Sequence, residues 1–186
     1  MHARTIPEAR KAGELCKALK ELGDCLSRNY TGNLLVWVID GRLACAHRPL
    51  RYHPLYGGSG RDLSREATFA LLQWIQYMKD VGIKSIISFL HPKELRHYAA
   101  LDIGATDLID LYRKSGFEVR HLPWEDPAHR LPSARSPFRE EKMRIQEAAL
   151  LAFDELSKPV LLHCSAGSDR SSPVAAHIWA KRTKPS

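Results

Sequence analysis

The residues of the sequence best suited to chemistry are a cysteine, which can act as a nucleophile, and an arginine six positions later, which can bind an anion. Cys164 and Arg170 lie within a nine-residue segment, His163 to Ser171, that reads His-Cys-Ser-Ala-Gly-Ser-Asp-Arg-Ser. A cysteine attacks as its thiolate, and the unpaired N–H groups at a helix N-terminus stabilise that anion. Because the segment follows an apolar strand-like run and precedes a helical pattern, it favours a nucleophilic role for Cys164.

The same segment is suited to binding a phosphate group. Successive backbone N–H groups in a turn form an anion-binding nest, and Gly167 lets the backbone turn tightly and approach a ligand. Arg170 can donate two parallel hydrogen bonds to phosphate oxygens, which a lysine cannot do. The predicted phosphate-binding residues are Ser165, Ala166, Gly167, Ser168, Asp169 and Arg170.

This segment resembles the signature loop of the protein tyrosine phosphatase superfamily, in which His-Cys is followed by five residues, an arginine and a serine or threonine. The short chain and the stretch Gly41-Arg42-Leu43-Ala44 are similar to the bacterial dual-specificity branch. The resemblance implies a two-step reaction without metal or cofactor: Cys164 attacks phosphorus, and water then hydrolyses the phosphocysteine. Ser171 would donate a hydrogen bond to the departing sulfur, and His163 would support the loop.

The resemblance also implies a general acid on a loop that follows a strand. The strand-like segment Phe117 to Pro123 leads into Trp124-Glu125-Asp126-Pro127. Asp126 is the match, since it lies three residues after Pro123. Glu125 is the alternative, because sequence alone does not separate two adjacent carboxylates.

The implied activity is hydrolysis of phosphotyrosine in proteins, with phosphoserine and phosphothreonine as further substrates. Asp169, directly before Arg170, also resembles phosphoinositide phosphatases and bacterial tyrosine phosphatases, and the net charge of +7 favours acidic partners. A phosphoinositide or RNA 5′-phosphate phosphatase is therefore one alternative, although the scattered Lys and Arg residues make nucleic acid the less favoured partner. A phosphate-binding module without catalysis is another. The combination of Cys164, Arg170 and Asp126 argues against it.

Apolar runs of strand length alternate with helical patterns along the chain. This alternation predicts a single α/β domain with a central, mostly parallel sheet of four to five strands flanked by helices. The resemblance implies the tyrosine-phosphatase fold. Ligand sites in such sheets lie beyond the carboxyl ends of the strands, where Cys164 is expected. The predicted strands are Leu34–Ile39, Ile83–Leu90, Phe117–Trp124 and Val160–Leu162.

Residues 1–30 are predicted to form an amphipathic helix that packs on a catalytic domain comprising residues 31–186. A chain of 186 residues is sufficient for one such domain. The apolar face of the helix would consist of Leu15, Leu19, Leu22 and Leu26.

The cysteine pattern and the apolar content indicate a cytoplasmic location. The four cysteines are not spaced as a disulfide framework, no secretory signal is visible, and no run of eighteen apolar residues predicts a membrane span. A separate glycine-rich run, Gly57-Gly58-Ser59-Gly60, lacks the Lys-Ser or Lys-Thr pair that a nucleotide-binding loop has. It is therefore interpreted as a flexible loop.

Overall fold

Five short strands form the central sheet of the computed structural model, which describes residues 6–126 and 135–183. The strand order is β1-β2-β5-β3-β4; β1 is antiparallel to β2, and the other three pairings are parallel. The predicted α/β class with a mostly parallel sheet is thus confirmed. The strands are β1 (Leu35–Ile39), β2 (Leu43–Ala46), β3 (Ser85–Ser88), β4 (Glu118–His121) and β5 (Val160–His163).

Helices cover both faces of this sheet, as the alternation of elements predicts. Within β5, Leu161 packs into a core cluster with α2 and α4, whereas Val160 and Leu162 pack into a second cluster with α1, α5 and α6. Successive side chains of a strand point to opposite faces, so the two clusters lie on opposite sides of the sheet. The helices are α1 (Ile6–Arg28), α2 (Thr68–Asp80), α3 (Pro92–Leu95), α4 (Leu108–Lys114), α5 (Arg135–Glu155) and α6 (Ser171–Arg182), with 3₁₀ turns at Arg65–Ala67 and Arg96–Tyr98.

Helix α1 contributes directly to the core. Leu15, Leu19 and Leu26 are buried, Leu22 is half-buried, and the helix packs against α6. No helix within the described residues is long and apolar enough to cross a membrane. The division into an N-terminal helix and a separate catalytic domain stays a prediction.

Strand β2 is an addition to the four strands predicted from the sequence. All of its residues are buried, and it lies between β1 and β5. Gly41 has a φ of +60° in the turn that joins β1 to β2, a conformation that glycine adopts without steric cost. Because β2 is parallel to β5, the chain leaving β2 emerges beside the chain leaving β5.

The four parallel strands end in register at one edge of the sheet. His163 at the end of β5 is aligned with Ala46 in β2 and with Ser88 in β3, and Ser88 is aligned with His121 in β4. The segments that follow these residues therefore meet at the same edge. The predicted position of Cys164, beyond the carboxyl end of a strand, is confirmed.

Candidate active site

The loop of residues 164–170 connects β5 to α6 and begins with the candidate nucleophile. Cys164 is 2% exposed, and its Sγ accepts a hydrogen bond of 3.2 Å from the N–H of Gly167. The φ of Gly167 is +75°, in the left-handed region that residues with a Cβ avoid. Glycine is thus needed at this position to turn a backbone donor towards the sulfur.

Two carbonyl groups of this loop are anchored by residues outside it. The N–H of Arg48, which follows β2, donates to the carbonyl oxygen of Ser165 at 3.0 Å. The N–H and the Oγ of Ser172 donate to the carbonyl oxygen of Gly167 at 3.1 and 2.7 Å. These contacts to the segment after β2 and to the first turn of α6 hold the loop in shape.

The anchored carbonyls determine where the adjacent amides point. A peptide unit is planar and trans, so its N–H points away from its C=O. The N–H groups of Ala166 and Ser168 therefore point away from the anchors. Unpaired N–H groups of a turn attract an anion, as do those that precede a helix. Within the described residues no acceptor is found for the N–H groups of Ser165, Ala166, Ser168, Asp169 and Arg170.

The guanidinium of Arg170 is buried and held from three segments of the chain. Nη1 donates to Oε2 of Glu94 at 2.6 Å and to the carbonyl oxygens of Trp124 at 2.8 Å and Phe89 at 3.1 Å. Nη2 donates to Oε1 of Glu94 at 2.6 Å. Arg170 is 1% exposed, so this network fixes the orientation of the guanidinium.

One edge of the same guanidinium is left for a ligand. Nε carries one hydrogen and each Nη carries two, and the bonds above use Nη1 and one hydrogen of Nη2. Within the described residues Nε of Arg170 has no hydrogen-bond partner. The Nε–Nη2 edge therefore presents two parallel donors, the arrangement that binds two oxygens of a phosphate.

The ion pair between Arg170 and Glu94 also affects the protonation of both residues. Burial alone would lower the pKa of Arg170, but the hydrogen bond with Glu94 and the charges of Cys164, Glu94 and Asp126 together outweigh it and raise that pKa above its ordinary value. Burial would raise the pKa of Glu94, but the hydrogen bond and the charge of Arg170 lower it. Both groups are thus charged at neutral pH.

The two adjacent carboxylates that follow β4 face different partners. Oδ2 of Asp126 lies 3.6 Å from Nη2 of Arg170, and the Asp126 side chain is 22% exposed. Oε1 of Glu125 lies 3.6 Å from Nζ of Lys93, and the Glu125 side chain is 40% exposed. Only Asp126 of these two is placed beside Arg170. Its role as the acid stays a prediction.

His163 has the surroundings of a supporting residue. It is fully buried at the end of β5, and its Nε2 lies 3.2 Å from the hydroxyl of Tyr112. Burial lowers the pKa of His163 to about 3, so its ring is neutral at physiological pH. The ring makes an edge contact with the ring of Tyr112. Its support of the loop that carries Cys164 stays a prediction.

The last predicted residues of the segment differ in exposure. Ser171 is fully buried, and its Oγ has no hydrogen-bond partner within the described residues. Its donation to the departing sulfur therefore stays a prediction. Asp169 is exposed, and its carboxylate accepts a hydrogen bond of 3.1 Å from Oγ of Ser168.

Glu94 is the residue of this site that the sequence prediction missed. It belongs to α3, where its Oε2 also accepts the N–H of His91 at 2.8 Å in a capping box. In the sequence it resembles the other charged residues of a solvated helix. The pattern His91-Pro92 followed by Glu94 does signal a helix start directly after a buried strand, and such a start lies at the ligand-binding edge of the sheet.

Comparisons with protein-family models, curated proteins and solved structures found no match to this chain. The likeness to tyrosine phosphatases is therefore confined to the motifs of the sequence. The contacts of Cys164, Arg170 and Asp126 are evidence about the chemistry of the candidate site that does not depend on that likeness.

Proposed function

We propose that the protein is a cysteine-dependent phosphatase that hydrolyses phosphotyrosine, and also phosphoserine and phosphothreonine, through a phosphocysteine intermediate on Cys164. The observation that carries this proposal is the combination of one sulfur, five backbone N–H groups without an acceptor among the described residues, and the open edge of Arg170 in a single seven-residue loop. A buried structural cysteine needs neither the unpaired donors nor the oriented guanidinium.

Substrate binding depends on charge neutralisation. A phosphomonoester is a dianion at neutral pH, and the amides of the loop together with Arg170 supply donors to its oxygens. Because the carbonyls of Ser165 and Gly167 and the guanidinium are already anchored, little reorganisation accompanies binding. The same donors stabilise the charge that builds up on the oxygens during transfer.

The first chemical step forms a sulfur–phosphorus bond and breaks the phosphorus–oxygen bond to the leaving group. The thiolate of Cys164 attacks phosphorus, and Asp126 gives its proton to the departing oxygen. In the second step water attacks phosphorus, Asp126 takes a proton from it, and the sulfur leaves as thiolate. Ser171 donates a hydrogen bond to that sulfur. The products are the dephosphorylated side chain and inorganic phosphate.

A substrate panel tests this function. Phosphate release is measured from a phosphotyrosine peptide, a phosphoserine peptide, a phosphoinositide and a triphosphate-ended RNA, with and without a chelator. We expect turnover of the phosphotyrosine peptide at a rate that the chelator does not change. Cys164→Ser should abolish turnover but retain phosphopeptide binding, because the loop amides remain.

Two outcomes of this panel would contradict the proposal. Substantial turnover by Cys164→Ser would reject the nucleophile. Binding of phosphopeptide by the wild-type protein without any phosphate release would identify a non-catalytic phosphate-binding module instead.

A further inference from the structure

One turn of α1, from Leu19 to Gly23, packs against the candidate active site. A Cβ on Gly167 would lie 3.0 Å from a methyl group of Leu19, so this side chain lies directly against the loop glycine. Leu19 is fully buried and belongs to the same core cluster as Cys164. Because the N–H of Gly167 donates to Sγ of Cys164, Leu19 supports the residue that supplies a donor to the sulfur.

The backbone of the same turn is held by His47, the first residue after β2. Nε2 of His47 donates to the carbonyl oxygen of Leu19 at 2.8 Å, and His47 is 4% exposed. Burial lowers the pKa of His47 to about 4, so the ring is neutral at neutral pH and carries its one N–H on Nε2. This buried hydrogen bond connects the backbone of α1 to the end of β2.

Tyr52 contacts both His47 and the same turn of α1. A Cβ on Gly23 would lie 2.9 Å from Cε2 and Cζ of Tyr52, which is closer than two such carbon atoms approach each other. The rings of Tyr52 and His47 meet edge to face, with their centroids 4.5 Å apart. Glycine weakens a helix relative to alanine but permits a close approach. Gly23 therefore allows the ring of Tyr52 to lie on the helix backbone.

The segment that carries His47 and Tyr52 also contacts the 164–170 loop through its backbone. The N–H of Arg48 donates to the carbonyl oxygen of Ser165 at 3.0 Å. A Cβ on Gly167 would lie 3.5 Å from the carbonyl oxygen of Ala46. The loop thus has two supports, α1 and residues 46–48, and the hydrogen bond from His47 joins these supports to each other.

We propose that α1 is part of the active site, with Leu19 and His47 as positioning residues that hold the N–H of Gly167 towards Cys164. This inference rests on the proposed function. A displacement of the turn from Leu19 to Gly23 moves the donor of the sulfur. The rate of the first chemical step therefore depends on how α1 is docked.

Two glycines of α1 provide a matched test, because the same substitution disturbs the docked turn at only one of them. In Gly23→Ala the new Cβ collides with the ring of Tyr52, whereas in Gly13→Ala it meets no atom of the described residues. A misplacement of about 1 Å costs about 10²-fold, and for this smaller shift we expect kcat for a phosphotyrosine peptide to fall about 10-fold in Gly23→Ala. KM should change little, since the N–H of Gly167 is directed to the sulfur. Gly13→Ala should keep both values.

Variants of His47 separate the hydrogen bond from the packing of the ring. His47→Gln can still donate to the carbonyl oxygen of Leu19 and should retain most of the kcat, whereas His47→Leu cannot donate and should lose about 10-fold. Urea titration of each variant identifies conditions in which it is fully folded, and kcat is measured there. Equal losses in the two His47 variants would overturn the proposal, as would equal kcat in Gly23→Ala and Gly13→Ala.

Alkylation of Cys164 by iodoacetamide separates this inference from the proposed function, because it needs no phosphatase activity. The rate is followed at neutral pH by mass spectrometry of the peptide that contains residue 164. A thiolate is the reacting form and hydrogen-bond donors stabilise it, so alkylation should be slower in Gly23→Ala and His47→Leu than in the wild-type protein. Equal or faster alkylation would overturn the proposal. If the wild-type protein releases no phosphate but alkylation shows these differences, the positioning by α1 stands and the enzymatic function falls.

Discussion

Glu94 binds Arg170 through two hydrogen bonds of 2.6 Å each, although the two residues are 76 positions apart in the sequence. The same carboxylate accepts the N–H of His91, so α3 and the 164–170 loop are oriented together. Because the pair occupies Nη1 and one hydrogen of Nη2, the Nε–Nη2 edge is left for a ligand. The geometry of the proposed anion-binding site thus depends on a carboxylate, although that carboxylate has the same sign of charge as the proposed phosphate substrate.

Removing the charge of Glu94 should lower both the catalytic rate and the stability of the fold. Glu94→Gln keeps the size of the side chain but removes the charge that orients Arg170. A misplaced catalytic group costs about 10²-fold, so we expect kcat/KM for a phosphotyrosine peptide to fall by about that factor. Loss of a charge-assisted bond should lower the free energy of unfolding by about 1–3 kcal/mol, measured by urea titration.

Glu125→Gln is the matched control for that substitution. It removes a neighbouring carboxylate that forms an ion pair with exposed Lys93 at this edge of the sheet. Exposed ion pairs contribute about 0.2–1 kcal/mol, so neither rate nor stability should change much. Similar losses in Glu94→Gln and Glu125→Gln would refute the positioning role of Glu94.

The assignment of the acid predicts a dependence on the leaving group. Asp126→Asn should lower kcat by about 10²–10⁴-fold for phosphoserine, whose alkoxide needs a proton to depart, with little change in KM. The loss should be much smaller for p-nitrophenyl phosphate, whose leaving group departs as a stable anion. Steady-state kinetics on both substrates measures this difference. If Glu125→Gln shows the selective loss and Asp126→Asn does not, the acid is Glu125.

Gly167 is predicted to be intolerant of any side chain. Alanine at a φ of +75° costs about 1–2 kcal/mol, and its Cβ would lie 3.0 Å from a methyl of Leu19. Gly167→Ala should therefore lower both the free energy of unfolding and kcat, since the N–H that donates to Cys164 would shift. In the control, Gly13→Ala in α1, the new Cβ meets no atom, and stability should rise by about 0.5–1 kcal/mol. Unchanged activity in Gly167→Ala would show that this N–H does not support the nucleophile.

Buried histidines should make the protein less stable as the pH falls. Burial lowers the pKa of His163 to about 3 and that of His47 to about 4, below the unfolded value of about 6.5. At a pH between the folded and the unfolded pKa values, the unfolded state binds more protons than the folded state does. The free energy of unfolding therefore increases with pH, and this stability is lost on acidification. The expected slope is about 1.4 kcal/mol per pH unit for each histidine, measured by urea unfolding from about pH 6.5 to 4.5.

His47→Gln isolates one of these two contributions. Glutamine can still donate to the carbonyl of Leu19, as Nε2 of His47 does at 2.8 Å, but it does not titrate. The slope of the free energy of unfolding against pH should fall by the contribution of one histidine. An identical slope in the variant and the wild-type protein would mean that His47 is protonated equally in the folded and unfolded states.

The sequence predicted the elements that strong apolar runs and turn residues define. The strands and the edge of the sheet that carries Cys164 follow from such local patterns. Strand β2 was missed because Leu43-Ala-Cys-Ala is short and contains two alanines, which are uncommon in strands. Its place in the sheet comes from pairing with β5, more than a hundred residues later, and local propensity does not encode that contact.

In the candidate site, too, local sequence patterns do not reveal contacts between residues that are far apart in the chain. The spacing within residues 163–171 is local, so the cysteine and the arginine were found together. The choice between Asp126 and Glu125 depends on distant partners, Arg170 and Lys93, and these become visible only in the folded chain.

The most direct test of a covalent phosphocysteine is to trap it. Wild-type protein is mixed with p-nitrophenyl phosphate and quenched in acid within the first turnover, and the peptide that contains residue 164 is analysed by mass spectrometry. We predict that this peptide carries one added phosphoryl group on Cys164, that the modification decays as substrate is consumed, and that Cys164→Ser shows none. Rapid turnover with no phosphorylated cysteine at any quench time, or phosphate attached to another residue, would contradict the account.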